Sequence, residues 1–412
     1  MVDGPGRGQT LRDTSTWLEA AAIFLVSSAI GGLFFSVLYD IGRSDLPNHV
    51  KLVIESRTGP NQLGYSIYYP LLEFLSGGGD ADALRTAAIA VLAASFGLRA
   101  AVTWLLLTLL NVGTAVRIVG TFAASVAAPI TISACANPYL GNLSPTIWHN
   151  STTILAAPFA LLLFASTCWV LLRKDRSWGP QLLQVALVVL SGWTKPNYLI
   201  AMVPALLLWC LVVVALAGGG GRWRTFVDLW WRAAPTGVAA ALVLLVQFLL
   251  TYGGDGLQIY GQRVTNLVAP FALWNEWSVR FGVNPPWAIF ISILTPLVLT
   301  VVLWSVRRHR TPLSLAWLGV LVGLAEFSLL AEALQDGTVL FHGNWIWGAQ
   351  LAMTVLFTVS VAAFLSEFRS LGWGKWIGLV LMAYQTLIGV RWLQTLLMGA
   401  SPTTGTLLTC VA

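Results

Sequence analysis

The chain has 412 residues, 57% of them hydrophobic and only 10% charged, with a net charge of +6 and a mean hydropathy of +0.76. Soluble domains carry about a quarter charged residues. This composition excludes an ordinary soluble globule, and it also excludes a disordered chain, a disulfide-stapled secreted module and a coiled coil, which need polarity, cysteine or heptads that are missing. An all-α polytopic membrane protein remains, in which the positive charge reports topology and not a nucleic-acid partner.

A helical span needs about 20 apolar residues. In chain order the expected spans are Trp17–Tyr39, Leu84–Leu110, Ile118–Cys135, Ser151–Leu172, Leu182–Trp193, Tyr198–Ala217, Ala233–Tyr252, Trp287–Val306, Leu313–Ala331, Trp345–Leu365 and Trp376–Met398, about 11 transmembrane helices in one domain over residues 1–412. The fifth is short and runs straight into Thr194-Lys195-Pro196-Asn197, which marks it as half-buried or broken. Ile67–Leu75 is too short to span and is expected to be re-entrant or interfacial. Met1–Thr16 is polar, so no cleavable signal peptide is visible.

Basic residues orient the spans. With a cytosolic N-terminus and strict alternation, fourteen Lys and Arg fall in cytosolic segments and six in outer ones, the bias of the positive-inside rule. Clusters such as Arg173-Lys174-Asp175-Arg176 and Arg307-Arg308-His309-Arg310 close outward-to-inward helices. The outer loops are then 40–83, 136–150, 194–197, 253–286 and 332–344. They hold ten acidic residues against five in cytosolic segments, and three of the four histidines, so function is expected to face the outside. The two halves of the chain do not match, which weighs against a transporter built from inverted repeats.

The first outer loop carries Asp45-Leu46-Pro47-Asn48-His49 and then Val50, Lys51, Val53, Ile54 and Glu55. Asp45 has the chemistry of an N-cap and Pro47 suits a first turn. The helix after it would be amphipathic, with Leu46, Val50, Val53 and Ile54 on one side and Lys51 paired to Glu55. Asp45 and His49, one turn apart, can address one site; a capped interfacial helix has the same pattern. The loop Asn137-Pro138-Tyr139-Leu140-Gly141-Asn142-Leu143-Ser144-Pro145, continued by Trp148, His149 and Asn150, gathers amide, hydroxyl, imidazole and aromatic groups that suit sugar hydroxyls and a sugar face, and equally suit a turn-rich loop. Lys195, Arg263 with Tyr260, and His342-Gly343-Asn344-Trp345-Ile346-Trp347 complete the outer polar set. A cation there can clamp a lipid-linked phosphate or simply snorkel. Asp45, His49, Asn142, His149 and His342 are expected to line one outer cavity. Glu326 and Arg391 fall within spans, where ionisable groups are costly, and are expected to pair with each other. No P-loop, GxGxxG, HExxH or GxSxG occurs, no zinc-ligand spacing is visible, and the four cysteines are scattered.

An acidic residue just after the first span, beside an amphipathic surface helix in the first outer loop, resembles the signature of the GT-C integral membrane glycosyltransferases. The likeness covers the whole chain in topology but only Asp45 and its surroundings in motif; a lone Asp45 followed by His49 replaces the commoner pair of adjacent acids, and Asp40 is the nearest competitor. The resemblance implies a sugar transferred from a polyprenyl-phosphate carrier to a glycan or glycolipid acceptor, with membrane lipid as surroundings and no nucleic acid. It implies catalysis by Asp45 and His49, donor phosphate held by Lys195 and Arg263, and substrate contacts from Asn142, Trp148, His149, Tyr260, His342 and Asn344. No cofactor or metal is required, since a cation stabilises the departing phosphate. The Ala-, Gly-, Arg- and Trp-rich composition points to a high-GC bacterium, hence to the inner (plasma) membrane with the active site extracytoplasmic. The alternatives are a polymerase or ligase of lipid-linked glycans, a polytopic transporter or flippase, and, less favoured, a membrane acyltransferase.

Overall fold

The computed structural model describes residues 14–41, 44–57, 66–130, 142–173, 177–219, 221–252, 258–259, 262–340 and 344–398. Among these, nine helices are long and apolar enough to cross a membrane, so the chain is an all-α polytopic membrane protein. The nine are α1 (Thr14–Ile41), α4 (Ala81–Leu109), α6 (Ser151–Arg173), α8 (Asn197–Leu216), α9 (Gly221–Tyr252), α11 (Pro285–Leu303), α12 (Arg307–Leu329), α13 (Ile346–Glu367) and α14 (Gly374–Leu397). Between them lie α2 (Leu46–Ser56), α3 (Tyr68–Leu75), α5 (Thr114–Val126), α7 (Trp178–Thr194) and α10 (Ala272–Phe281). Two small antiparallel ladders complete the fold, β1 (Gln258–Ile259) with β2 (Gln262–Arg263) and β3 (Thr265–Val268) with β4 (Leu330–Ala333).

Two of the eleven expected spans differ from these nine. The fifth is α7, whose 17 residues are helical to Thr194. The third, Ile118–Cys135, is helical only to Val126, and α5 with 13 residues rises about 20 Å, short of a hydrocarbon core about 30 Å thick. Its end has a local cause. Pro129 has no N–H and pushes Ala128 out of the α region, and Ala127 has already turned to ψ 136. The freed backbone is bonded elsewhere, Ala128 N–H donating to Gln385 O of α14 at 3.1 Å. Gly389 makes that approach possible, since a Cβ there would lie 1.8 Å from Val126 O.

The loops that alternation assigns to one side of the membrane do meet. Asp45 N–H donates to His149 O, Ile67 N–H to Trp193 O, and Asn197 Nδ2 to Asn344 O. At the opposite end Arg117 pairs with Glu19, and Arg308 with Glu367. Asp45, Ile67, His149, Trp193, Asn197 and Asn344 thus share one end of the bundle, and Glu19, Arg117, Arg308 and Glu367 lie at the other.

α13 is the central helix: 94% of its apolar window is buried, against α4, α5, α6, α8, α11 and α12. Small residues permit this. At Gly323 of α12 an added Cβ would sit 2.4 Å from Ala349 N, so the two backbones touch there. By contrast α1, α8, α9 and α14 bury less than a third of their apolar windows, as helices on the lipid side of a bundle do.

Candidate active site

The site is assembled where α2, α6, α7, α8 and α13 begin or end. α2 forms as its sequence directs: Leu46, Val50 and Val53 are buried and Lys51 pairs with Glu55 at 3.5 Å. Ile54 leaves the expected stripe and is exposed, while His49 takes its place in the core. Asp45 precedes the helix but does not cap it with its side chain, contrary to the sequence expectation. Capping residues sit in the extended region, whereas Asp45 is already helical at φ −72 and ψ −6, and Ser44 Oγ takes the Leu46 N–H at 3.4 Å. The bond from Asp45 N–H to His149 O at 3.1 Å holds the residue against the start of α6, and its carboxylate turns to Asn150.

Asn150 is the hub. Its Oδ1 accepts from Lys195 Nζ at 2.9 Å, Thr152 Oγ1 at 3.0 Å, Thr153 Oγ1 at 2.7 Å and Thr153 N–H at 3.1 Å. Its Nδ2 donates to Asp45 Oδ2 at 3.4 Å. One amide thus stands between an acid and a cation. The same residue is the N-cap of α6, its backbone oxygen accepting from Ile154 N–H at 3.0 Å.

Lys195 lies in the turn between α7 and α8 and is only 8% exposed. Besides Asn150 it donates to Thr152 Oγ1 at 3.0 Å, and its Nζ stands 4.5 Å from the centre of the Trp347 ring. Among the described residues no carboxylate lies within ion-pair distance of it. Burial therefore pulls its pKa from 10.5 down to about 7, against the opposing pull of Asp45. The turn is fastened from outside: Ser66 Oγ donates to Thr194 O at 2.7 Å and Ile67 N–H to Trp193 O at 2.6 Å, filling carbonyls that a helix end leaves unpaired.

The two histidines differ in access. His49 is buried, its Nδ1 2.9 Å from Tyr69 OH, and burial, with Lys195 adding to it and Asp45 opposing, lowers its pKa to about 4. It is neutral at physiological pH and orients Tyr69. His149 is half-buried, its ring 5.8 Å from that of Trp347, and burial lowers its pKa as well.

The other expected site residues scatter. Tyr260 and His342 lie outside the described residues. Trp148 is 3% exposed and wedged among Phe34, Phe35 and Phe96, with centroids 4.8, 6.2 and 5.3 Å away; its ring is part of the core and offers no face to a sugar. Asn142 is buried one turn further into the bundle than Trp347, its carbonyl accepting from Gln350 Nε2 at 2.6 Å and its Oδ1 from Ser292 at 3.4 Å. Residues 142–148, expected in an outer loop, are thus packed inside the bundle, where Arg99 of α4 donates to Pro145 O and Thr146 Oγ1. Asn344 donates to Glu332 at 2.6 Å and accepts from Asn197, two residues beyond Lys195. Arg263 is exposed on β2 and is not among the groups around Lys195. Asp40, the rival carboxylate, is held by Arg85 at 2.7 Å. Glu326 and Arg391 do not pair: Glu326 lies against Gly348, where an added Cβ would be 3.0 Å from its Oε2, and Arg391 is exposed on α14.

Thr152 and Tyr69 were not named from sequence, while Asn150 and Trp347 stood in outer polar stretches without being given a role in the site. Asn150-Ser151-Thr152-Thr153 ahead of an apolar run was a legible helix start; nothing local distinguished Trp347 from nineteen other tryptophans. Among the described residues no three His, Cys, Asp or Glu side chains converge as metal ligands. A scan against protein-family models returns no match, and no curated protein matches the chain.

Proposed function

We propose that this chain is a membrane glycosyltransferase of the GT-C kind, moving a sugar from a polyprenyl-phosphate carrier to a glycan or glycolipid acceptor of the cell envelope on the extracytoplasmic face. One observation carries the reading: a half-buried carboxylate and a buried lysine that has no carboxylate partner among the described residues are held on the two sides of one amide. Asp45 accepts the acceptor hydroxyl proton while that oxygen attacks the anomeric carbon. The bond from anomeric carbon to phosphate oxygen breaks, and the electron pair leaves with the carrier phosphate. Lys195 stabilises that charge. A single displacement inverts the anomeric centre.

Approach from the membrane is supported by α2 and α3, which lie beside the site and expose Leu52, Phe74 and Leu75, the apolar faces of helices that rest in a lipid interface. The test is turnover by purified protein in lipid nanodiscs. Polyprenyl-phosphate sugars should be consumed and soluble nucleotide sugars ignored. Asp45→Asn should lower turnover by about 10² or more with carrier binding kept. Turnover of a nucleotide sugar without carrier, or full activity in Asp45→Asn, overturns the proposal.

A further inference from the structure

Asn150 does more than begin a helix. Its Oδ1 is encircled by four donors, two of them a backbone N–H and an ammonium. A flipped amide would press its NH2 against both, donor on donor, so only one orientation of the group is allowed. That orientation forces Nδ2 onto Asp45 Oδ2. Among the described residues Asn150 is the group that hydrogen-bonds the Asp45 side chain, and it does so at Oδ2 and not at Oδ1.

We infer that Asn150 is a positioning residue of the site: its locked amide fixes the separation of Asp45 and Lys195 and decides which oxygen of Asp45 is presented to the acceptor hydroxyl. The inference rests on the glycosyltransferase reading for its chemistry but on the hydrogen-bond pattern for its geometry. The simpler role, an N-cap of α6, makes a different forecast. Ser and Asp cap about as well as Asn, so a mere cap would tolerate both.

Two variants separate the roles. Asn150→Asp keeps shape, cap and an acceptor for Lys195, but sets a carboxylate where Asp45 needs a donor. Asn150→Ser keeps the cap and withdraws the amide from both partners. Turnover of polyprenyl-phosphate sugar should fall about 10- to 100-fold in each, the scale of a lost hydrogen bond to a charged group, with thermal stability close to wild type. The second readout is independent of activity. The chain has four lysines, so the Nζ of Lys195 can be followed by NMR of isotopically labelled lysine, with Lys51, Lys174 and Lys375 assigned by replacement with arginine. The titratable groups facing Lys195 are Asp45, His49 and His149, and all stay in place in both variants. The Lys195 midpoint should rise in Asn150→Asp and fall in Asn150→Ser.

An unmoved midpoint in both variants, or wild-type turnover in Asn150→Ser, overturns the inference. Midpoints that move as expected, in a wild-type protein that turns over no lipid-linked sugar, support the positioning role and sink the glycosyltransferase reading instead.

Discussion

Lys195→Met should make the ligand-free protein more stable, and more so in acid. The fall of the Lys195 pKa from 10.5 to about 7 corresponds to about 5 kcal/mol, at about 1.36 kcal/mol per pH unit. That is the cost of keeping the ammonium charged in its buried turn. Methionine fills similar volume without charge, and Asn150 Oδ1 keeps its three donors from Thr152 and Thr153, so few groups are orphaned. Local relaxation returns part of the penalty, which leaves a gain of about 2–4 kcal/mol. The sign follows from linkage. Below pH 7 both folded and unfolded lysines are protonated and the folded one bears the whole penalty. Between pH 7 and 10.5 the folded amine releases its proton while the unfolded one keeps it, so wild type recovers stability as pH rises. The advantage of Lys195→Met is therefore full at pH 6 and shrinks progressively above pH 7. Thermal unfolding in detergent, read by the fluorescence of twenty tryptophans, measures both limbs. A pH-independent difference, or a lower Tm for Lys195→Met at pH 6, would refute the view of Lys195 as a buried cation awaiting an anion.

Three other substitutions give sharp outcomes. His49→Phe should cost about 1–3 kcal/mol by removing the hydrogen bond between His49 Nδ1 and Tyr69 OH, yet leave the pH profile of activity between 5 and 8 unchanged, because an imidazole with its pKa near 4 does not titrate there; a shifted acid limb would return His49 to the proton path. Asp40→Asn should change stability by no more than about 1 kcal/mol, as its pair with Arg85 is largely exposed, and should leave turnover near normal; a loss like that of Asp45→Asn would move the base to Asp40. Gly323→Ala should destabilise by about 1–3 kcal/mol through contact with the α13 backbone, whereas Gly319→Ala, meeting only Ala352 Cβ at 3.6 Å, should be neutral or stabilising; equal Tm values for the two would contradict the close crossing.

The fold was legible where periodicity and length govern it. Apolar runs located the nine long helices, and the Leu46, Val50, Val53 stripe located α2. Where one proline outweighs composition the reading failed: Ala128-Pro129 ends α5 although the run looks like a span. Side-chain roles were legible only in part. Asp45, His149 and Lys195 were chosen for polarity on one side, and they do meet. Trp148 and Asn142 were chosen by the same rule and are buried, because loop composition does not reveal that residues 142–148 enter the bundle. Trp347 joins the site through α13 by contacts with Lys195 and His149, far apart in the chain, and such contacts leave no local mark; Tyr69 joins it through α3 beside His49.

That long reach has a consequence for how the protein is made. Asp45, Asn150, Lys195 and Trp347 are contributed by segments synthesised far apart, and the last of them belongs to the helix on which the others close. Until α13 arrives, the amine of Lys195 lacks the indole that covers it, and the seams of α4, α6, α8 and α12 that α13 fills stand open to lipid. α13 itself carries Gln350, Thr354, Thr358 and Ser360 on faces that are buried only in the finished bundle. A nascent chain released before Ile346 would hold Asp45, Asn150 and Lys195 but lack the indole that covers the amine, and should be cut by protease where the full chain resists. Closure of the site and the arrival of α13 are thus one event.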